Sequence, residues 1–139
     1  MKILLMKIKF KNMETTKTIY QLHEDHRTWL NKLAFYEDEI LIMKGRITEI
    51  AKKNTSKEVL SFVEHFQNQL IVQKEQIDIL NHDINSHESS IEAKVNKKGV
   101  ASGDKKFFDH TEQREKIENF EKNFNSLRKE LIHFLSKWM

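Results

Sequence analysis

Apolar residues recur along most of this chain at alternating spacings of three and four positions. One such series starts at Ile19, a second at Val59 and a third at His110. This spacing places the side chains along one stripe of an α-helix and is typical of helices that pack as in a coiled coil. We call each stripe a seam. The seams are Ile19, Leu22, His26, Trp29, Leu33, Tyr36, Ile40, Met43, Ile47 and Ile50; Val59, Val63, Phe66, Leu70, Gln73, Ile77, Leu80, Ile84, His87 and Ile91; and His110, Gln113, Ile117, Phe120, Phe124, Leu127, Leu131, Phe134 and Trp138.

Three seams predict an all-α fold in which three long antiparallel helices form an elongated, coiled-coil-like, up-down-up bundle. The predicted helices cover about residues 15–52, 56–97 and 105–138, and residues 13–139 form one bundle domain. The near absence of helix breakers supports this fold, because the chain has no proline and only three glycines. Burying all three seams against one another is the simplest arrangement that removes them from water.

The turns between the helices set which residues lie at the same height. Thr55 to Glu58 matches a capping box, with Thr55 as the predicted N-cap of the second helix. With turns centred near residues 54 and 101, residue i of the first helix should face about residue 108 − i of the second. It should face about residue 95 + i of the third.

Residues 1–12 form a segment that differs from the bundle, because four apolar residues are followed by lysines alternating with Ile8 and Phe10. The apolar run is too short for a signal peptide or a transmembrane helix. Three interpretations stay open for this basic and apolar arm. It is a short strand, an amphipathic arm docked on the bundle, or a translated upstream stretch with Met13 as the native start.

Composition excludes several classes of function. The formal net charge is +3, and four of the lysines lie in the first twelve residues, so the rest of the chain is near neutral with acids and bases interleaved. No stripe of Lys and Arg predicts nucleic-acid binding. The chain has no cysteine, and neither a phosphate-binding loop nor a nucleophile motif is present. We therefore predict a cytoplasmic, non-enzymatic protein with no membrane span, no cofactor and no small-molecule substrate.

Histidines provide the candidate metal ligands. His26, His87 and His110 occupy seam positions, and His23 flanks the first seam one turn before His26. The predicted heights bring His23, His26 and His87 together as ligands for zinc or a similar divalent ion, with Glu24, Asp83 or Glu88 as supporting carboxylates. They place Ile117 and Phe120 of the third helix at this level, which supplies no ligand from that side.

Two other interpretations of these histidines are open. Polar side chains at seam positions commonly fix the register of helices, and Gln73 and Gln113 would act in the same way. Histidines buried in the neutral form would also make one end of the bundle sensitive to acid. The remaining histidines fall on outer positions, where we expect them to be exposed: His65, His82 and His133.

Apolar residues outside the seams predict an interface. The outer positions of the first two helices carry Phe35, Leu41, Ile42, Ile71, Val72 and Ile79. The predicted heights place much of this set near the middle of the bundle, where a contiguous apolar patch would mark a binding surface. A second copy of the chain, the arm of residues 1–12, or another helical protein could cover it. The leading prediction is an interaction or scaffold protein that forms a homodimer, and the alternative is a metal-binding bundle.

Overall fold

The computed structural model describes residues 19–98 and 105–139, with side chains described in 19–93 and 110–139. These residues form α1 (Ile19–Lys53), α2 (Lys57–Lys98) and α3 (Lys105–Trp138). No strand occurs in the described ranges, so the all-α prediction is confirmed. The arm predicted for residues 1–12, the predicted start of the first helix and the second turn lie outside the described residues. Within 19–98 and 105–139, no helix has an apolar stretch long enough to cross a membrane.

The three seams form the core of the bundle. Every buried residue among the described side chains lies at a predicted seam position, as Leu33, Leu70 and Phe124 illustrate with exposures of 1%, 0% and 1%. Four seam residues are only half-buried: Ile19, Tyr36, His87 and Trp138. Burial of one stripe per helix is therefore the interaction that holds the three helices together.

Local hydrogen bonds end α1 and begin α2. The backbone N–H and side-chain amide of Asn54 both donate to the Ile50 carbonyl, at 3.1 and 2.9 Å, which satisfies an acceptor in the last turn. The N–H of Val59 donates to Ser56 Oγ at 3.4 Å. The prediction that Thr55 is the N-cap is wrong by one residue, because α2 begins at Lys57 and Ser56 is the residue that precedes it.

Contacts between helices establish the up-down-up order. On α2, Glu88 contacts His23 of α1 and Lys74 contacts Glu37, so α1 and α2 are antiparallel. In each contact between α1 and α3, the two residues are nearly the same number of positions apart in the sequence, as for Glu39 and Arg128, which are 89 positions apart. A constant separation means that α1 and α3 run parallel.

The predicted heights are wrong by about one turn on α2 and nearly two on α3. Glu37 contacts Lys74, where a partner near residue 71 was predicted, and Lys32 contacts Glu121, where a partner near residue 127 was predicted. When the assumed centre of a turn is wrong by one or two residues, the predicted partner on the next helix is wrong by twice as many, because the chain reverses there. The same error then shifts the predicted partners on the third helix. The correction brings the start of α3 to the level of His26.

Candidate metal centre

Three histidines, one from each helix, meet inside the bundle. His26, His87 and His110 each offer a nitrogen, and the three nitrogens all lie within 4.8 Å of one another. Their ring centroids are 4.9 Å (26–87), 5.6 Å (26–110) and 6.3 Å (87–110) apart. His26 and His110 are only 1% and 3% exposed, whereas His87 is half-buried. We call this group the histidine centre.

The seams explain why these three side chains converge. Each histidine takes a position that elsewhere in the bundle holds a core residue, so its ring points toward the common axis. Trp29, one seam position after His26, stacks on His110 with centroids 4.8 Å apart and an angle of 30° between the planes. The indole thus forms an apolar wall on one side of the histidine centre.

Glu88 supports the histidine centre from α2. Its carboxylate oxygens contact the Nδ1 atoms of His23 and His26. We assign both Nδ1 atoms as donors, because an ionised carboxylate can only accept. The Nε2 atom of His26 then carries the lone pair and faces His87.

Asp25 supports the histidine centre from α1. The Nε2 atom of His110 donates to the Asp25 carboxylate at 2.8 Å, and Arg114 lies 3.7 Å from the same oxygen. This bond sets the tautomer of His110, so that Nδ1 carries the lone pair. A carboxylate on the outer nitrogen of a histidine is the usual arrangement around metal-bound imidazoles.

His87 links the other members. Its Nδ1 atom lies 3.0 Å from His26 Nε2 and 3.3 Å from the side-chain oxygen of Gln113. Both of those atoms are acceptors, so His87 Nδ1 is the donor in the metal-free protein. Transfer of this proton to His87 Nε2, a change of tautomer, would leave three nitrogen lone pairs within the histidine centre while His87 stays neutral.

Burial keeps His26 neutral. Desolvation, followed by repulsion from protonated His87 and His110, lowers the pKa of His26 from 6.5 to about 4, although a hydrogen bond to Gln113 partly opposes the change. His26 is therefore neutral at pH 7. Neutral imidazole is the form that binds a metal ion.

The geometry fits a tetrahedral ion with little rearrangement. Zinc–nitrogen bonds of about 2.0–2.1 Å place the nitrogens of such a site about 3.3 Å apart. The 3.0 Å between His26 and His87 is already close to this value. One ring nitrogen of His110 lies within 4.8 Å of a nitrogen of each of the other two and would have to approach by no more than about 1.5 Å.

The structure brings together two members of the predicted ligand set and a third histidine that was not predicted to lie with them. Predicted His26 and His87 belong to the histidine centre, but predicted His23 reaches it only through Glu88. His110 takes the third place, which sequence reasoning missed because the predicted heights put Ile117 at that level. Of the predicted supporting carboxylates, Glu88 contacts the histidine centre. The prediction that His65, His82 and His133 are exposed is confirmed.

The six predicted interface side chains are all exposed, but they lie on different sides of the bundle. Phe35 and Ile42 lie within one turn of Glu39, whose partner is on α3, so they flank the α1–α3 groove. Leu41 follows Glu37 by one turn and Ile71 precedes Lys74 by one turn, so they flank the α1–α2 groove. The groove between α2 and α3 is lined in part by Val72 and Ile79.

No protein-family model, curated protein or solved structure matches this chain. The fold and site therefore define the protein only as a three-helix bundle with an interhelical histidine centre. Bundles of this shape host many activities, so a proposal about function has to come from the histidine centre and the exposed surfaces.

Proposed function

We propose that this protein is a metal-binding helical bundle whose histidine centre binds one zinc ion or a chemically similar divalent ion. The ligands are His26 Nε2, His87 Nδ1 and His110 Nδ1. The observation that carries the proposal is the convergence of three imidazoles from three helices, two of which are held by carboxylates on their outer nitrogens. Imidazole ligands suit zinc, copper, nickel and iron, and geometry selects among these ions.

Charge balance supports a divalent ion at this position. The three ligands are neutral in the bound form, while Glu88 and Asp25 each bring one negative charge to the adjacent positions. Two carboxylates next to the ion lower the electrostatic cost of holding a dication among three neutral ligands. The same two carboxylates hold the protons of His26 and His110 on the outer nitrogens, so the inner nitrogens carry the lone pairs that bind the ion.

Metal titration tests the proposal. Untagged protein is stripped with a chelator and titrated with Zn²⁺ and Co²⁺ by calorimetry and visible absorbance at neutral pH. We expect one ion per chain. His87→Gln and His110→Gln should each weaken metal binding by more than roughly 100-fold. This exceeds the usual effect of replacing a residue that only hydrogen-bonds to a metal ligand.

Matched variants separate direct ligands from supporting groups. Glu88→Gln should weaken binding by about 10- to 100-fold, and His23→Gln by less, because His23 acts only through Glu88. His65→Gln, on the exposed face of α2, should have no effect. Circular dichroism of each metal-free variant establishes that it is folded. Folded wild-type protein that binds neither ion, or equal affinity in the wild type and His110→Gln, would contradict the proposal.

A second candidate function is self-association, as the sequence predicted. Its support is a strip of large apolar side chains along the α1–α3 groove: Phe35, Ile42 and Ile132 are 60%, 63% and 55% exposed. Ile132 follows Arg128 by four residues, so it flanks the Glu39–Arg128 pair from α3 as the other two do from α1. A second copy of the bundle packed along this groove would remove all three side chains from water.

Light scattering tests self-association. We expect the native protein to be a dimer at micromolar concentration and Phe35→Glu/Ile42→Glu to be a folded monomer. Leu41→Glu/Ile71→Glu, on the α1–α2 groove, is the matched control and should remain a dimer. A monomeric native protein, or an unchanged mass in the first double variant, would rule out this interface.

A further inference from the structure

We infer, on the basis of the proposed metal site, that the bound ion keeps one coordination position open to solvent between α2 and α3, where it takes a small exchangeable anion. Three protein nitrogens and one open position are typical of reactive zinc sites, whereas structural sites have four protein ligands. The open position would make the histidine centre a binding site for a ligand rather than a structural metal site that only cross-links the helices.

Burial around the histidine centre is uneven. His26 and His110 are almost completely buried, and Trp29, which is 7% exposed, covers His110. His87 alone among the three is partly accessible. The histidine centre is therefore least covered on the His87 side.

A pocket opens on that side. It has a volume of about 320 Å³ and lies between α2 and α3, with His87 and Gln113 in its wall next to Ser86, Ser90 and Lys116. The Gln113 side-chain oxygen is 3.3 Å from His87 Nδ1, so the pocket reaches to within one hydrogen bond of a ligand atom. A small molecule entering here would meet the ion directly.

The two carboxylates that contact the histidine centre are engaged elsewhere. Glu88 and Asp25 contact His26 Nδ1 and His110 Nε2, the nitrogens that face away from the proposed ion. They would have to abandon these bonds to fill the fourth position. The amide oxygen of Gln113 is close enough to compete for that position, but as a neutral ligand it binds a dication less strongly than an anion does.

The charge of the proposed dication, with one ammonium group in the pocket wall, favours a small anion. Lys116 places an ammonium group at the wall, where it would attract an anion on its way to the ion. Asp83 and Glu112 line the same pocket, and Glu112 lies 3.8 Å from Lys116. These two carboxylates would repel a large or multiply charged anion, so the pocket suits a compact monoanion such as azide, hydroxide or formate.

Cobalt spectroscopy with azide tests the inference. The d–d spectrum of the Co²⁺-loaded protein reports metal binding, and its change on addition of sodium azide reports an exchangeable position. We expect a saturable change at millimolar azide. Lys116→Ala should raise the azide dissociation constant roughly twofold to fivefold, the size expected for an exposed ion pair, without changing the affinity for Co²⁺.

Controls distinguish the failure of each proposal. Lys129→Ala, an exposed lysine on another part of α3, should leave azide binding unchanged. A Co²⁺ spectrum that does not respond to azide would overturn the open position and leave the metal site standing. A response seen only in Gln113→Ala would identify the Gln113 amide as the fourth ligand and would also overturn the inference. Absence of Co²⁺ binding would overturn both proposals.

Discussion

Arg128 on α3 makes a two-point contact with Glu39 on α1. Its Nε atom donates to Glu39 Oε2 at 2.8 Å, and its Nη2 atom donates to Oε1 at 2.6 Å. The two side chains are 27% and 18% exposed, so water screens this pair less than a surface pair. The Arg128 guanidinium also lies over the rings of Tyr36 and Phe124, with 5.7 and 5.1 Å to their centroids.

Two further ion pairs repeat this contact at intervals of seven residues. Asp25 pairs with Arg114 at 3.7 Å and Lys32 pairs with Glu121 at 3.2 Å. The sign of the charge alternates from one of these positions to the next along both helices. Sliding α3 by seven residues in either direction would bring Lys32 against an arginine, so the alternating charges disfavour both neighbouring registers.

We expect Arg128→Glu to destabilise the bundle by about 2 kcal/mol, because it places two carboxylates together in a partly buried position. The double variant Glu39→Arg/Arg128→Glu should recover most of the loss, since the pair is restored with opposite polarity. Urea unfolding followed by circular dichroism measures both. Arg46→Glu is the control, because its pair with Glu49 on α1 is about half exposed at 3.9 Å, and its effect should stay within about 0.5 kcal/mol. Failure of the double variant to recover stability would contradict the importance of this pair.

The metal-free bundle should lose stability in acid because of His26. Its pKa is 6.5 when unfolded and about 4 when folded, so above pH 6.5 both states are neutral and the full stability is present. As the pH falls from 6.5 to 4, the unfolded chain takes the proton first and stability is lost. We expect a loss of about 2 kcal/mol between pH 8 and pH 5.

Urea unfolding of chelator-treated protein at the two pH values measures this loss. The groups that face His26 come from all three helices, namely His23 on α1, His87 and Glu88 on α2, and His110 and Gln113 on α3. His26→Gln should flatten the pH dependence, whereas the exposed His82→Gln should retain it. Superimposable curves for the wild type at pH 5 and pH 8 would show that His26 is not the source of acid sensitivity.

Gln73 is a buried amide in the middle of the α2 seam. It is 8% exposed, and its Oε1 atom has no hydrogen-bond partner among the described residues. Gln73→Leu should therefore raise the free energy of unfolding by about 1–2 kcal/mol, because a buried unpaired acceptor is removed. Gln76→Leu, an exposed control on the same helix, should change it by less than about 0.5 kcal/mol. A less stable Gln73→Leu variant would mean that the amide makes a favourable contact.

Gly45 is an exposed glycine inside α1. A Cβ atom added there would meet nothing within 4 Å. Gly45→Ala should stabilise the protein by about 1 kcal/mol, because alanine restricts the unfolded chain and favours helix. Thermal unfolding checks this prediction. The variant Lys44→Ala, at the exposed neighbouring position, is the control, and we expect little change in its stability. No gain in stability would mean that the backbone at residue 45 departs from regular helix.

The histidine centre was only partly predictable. Seam positions marked His26, His87 and His110 as inward-facing, and the antiparallel turn brought His26 near His87. The absence of His110 from the predicted set followed from a height error of nearly two turns on α3. A heptad pattern specifies the face of a helix but carries little information about its position along the axis, because each layer of apolar side chains resembles the next.

The outer apolar side chains were likewise predictable only in part. Their exposure followed from the seams, since a residue off the buried stripe faces outward. Whether Phe35 lies beside Leu41 or beside Ile132 depends on which neighbouring helix occupies each side of α1, and the seam pattern does not specify that.

The sequence by itself determined that this protein is a bundle of three helices, because the 3-4 spacing leaves one stripe per helix that must be buried. It also determined which side chains form the core. Only the tertiary structure decided the axial alignment of the helices, because that depends on the lengths of the turns and on ion pairs between distant residues such as Glu39 and Arg128. The same alignment decided that a histidine from α3, rather than a second one from α1, completes the candidate metal centre.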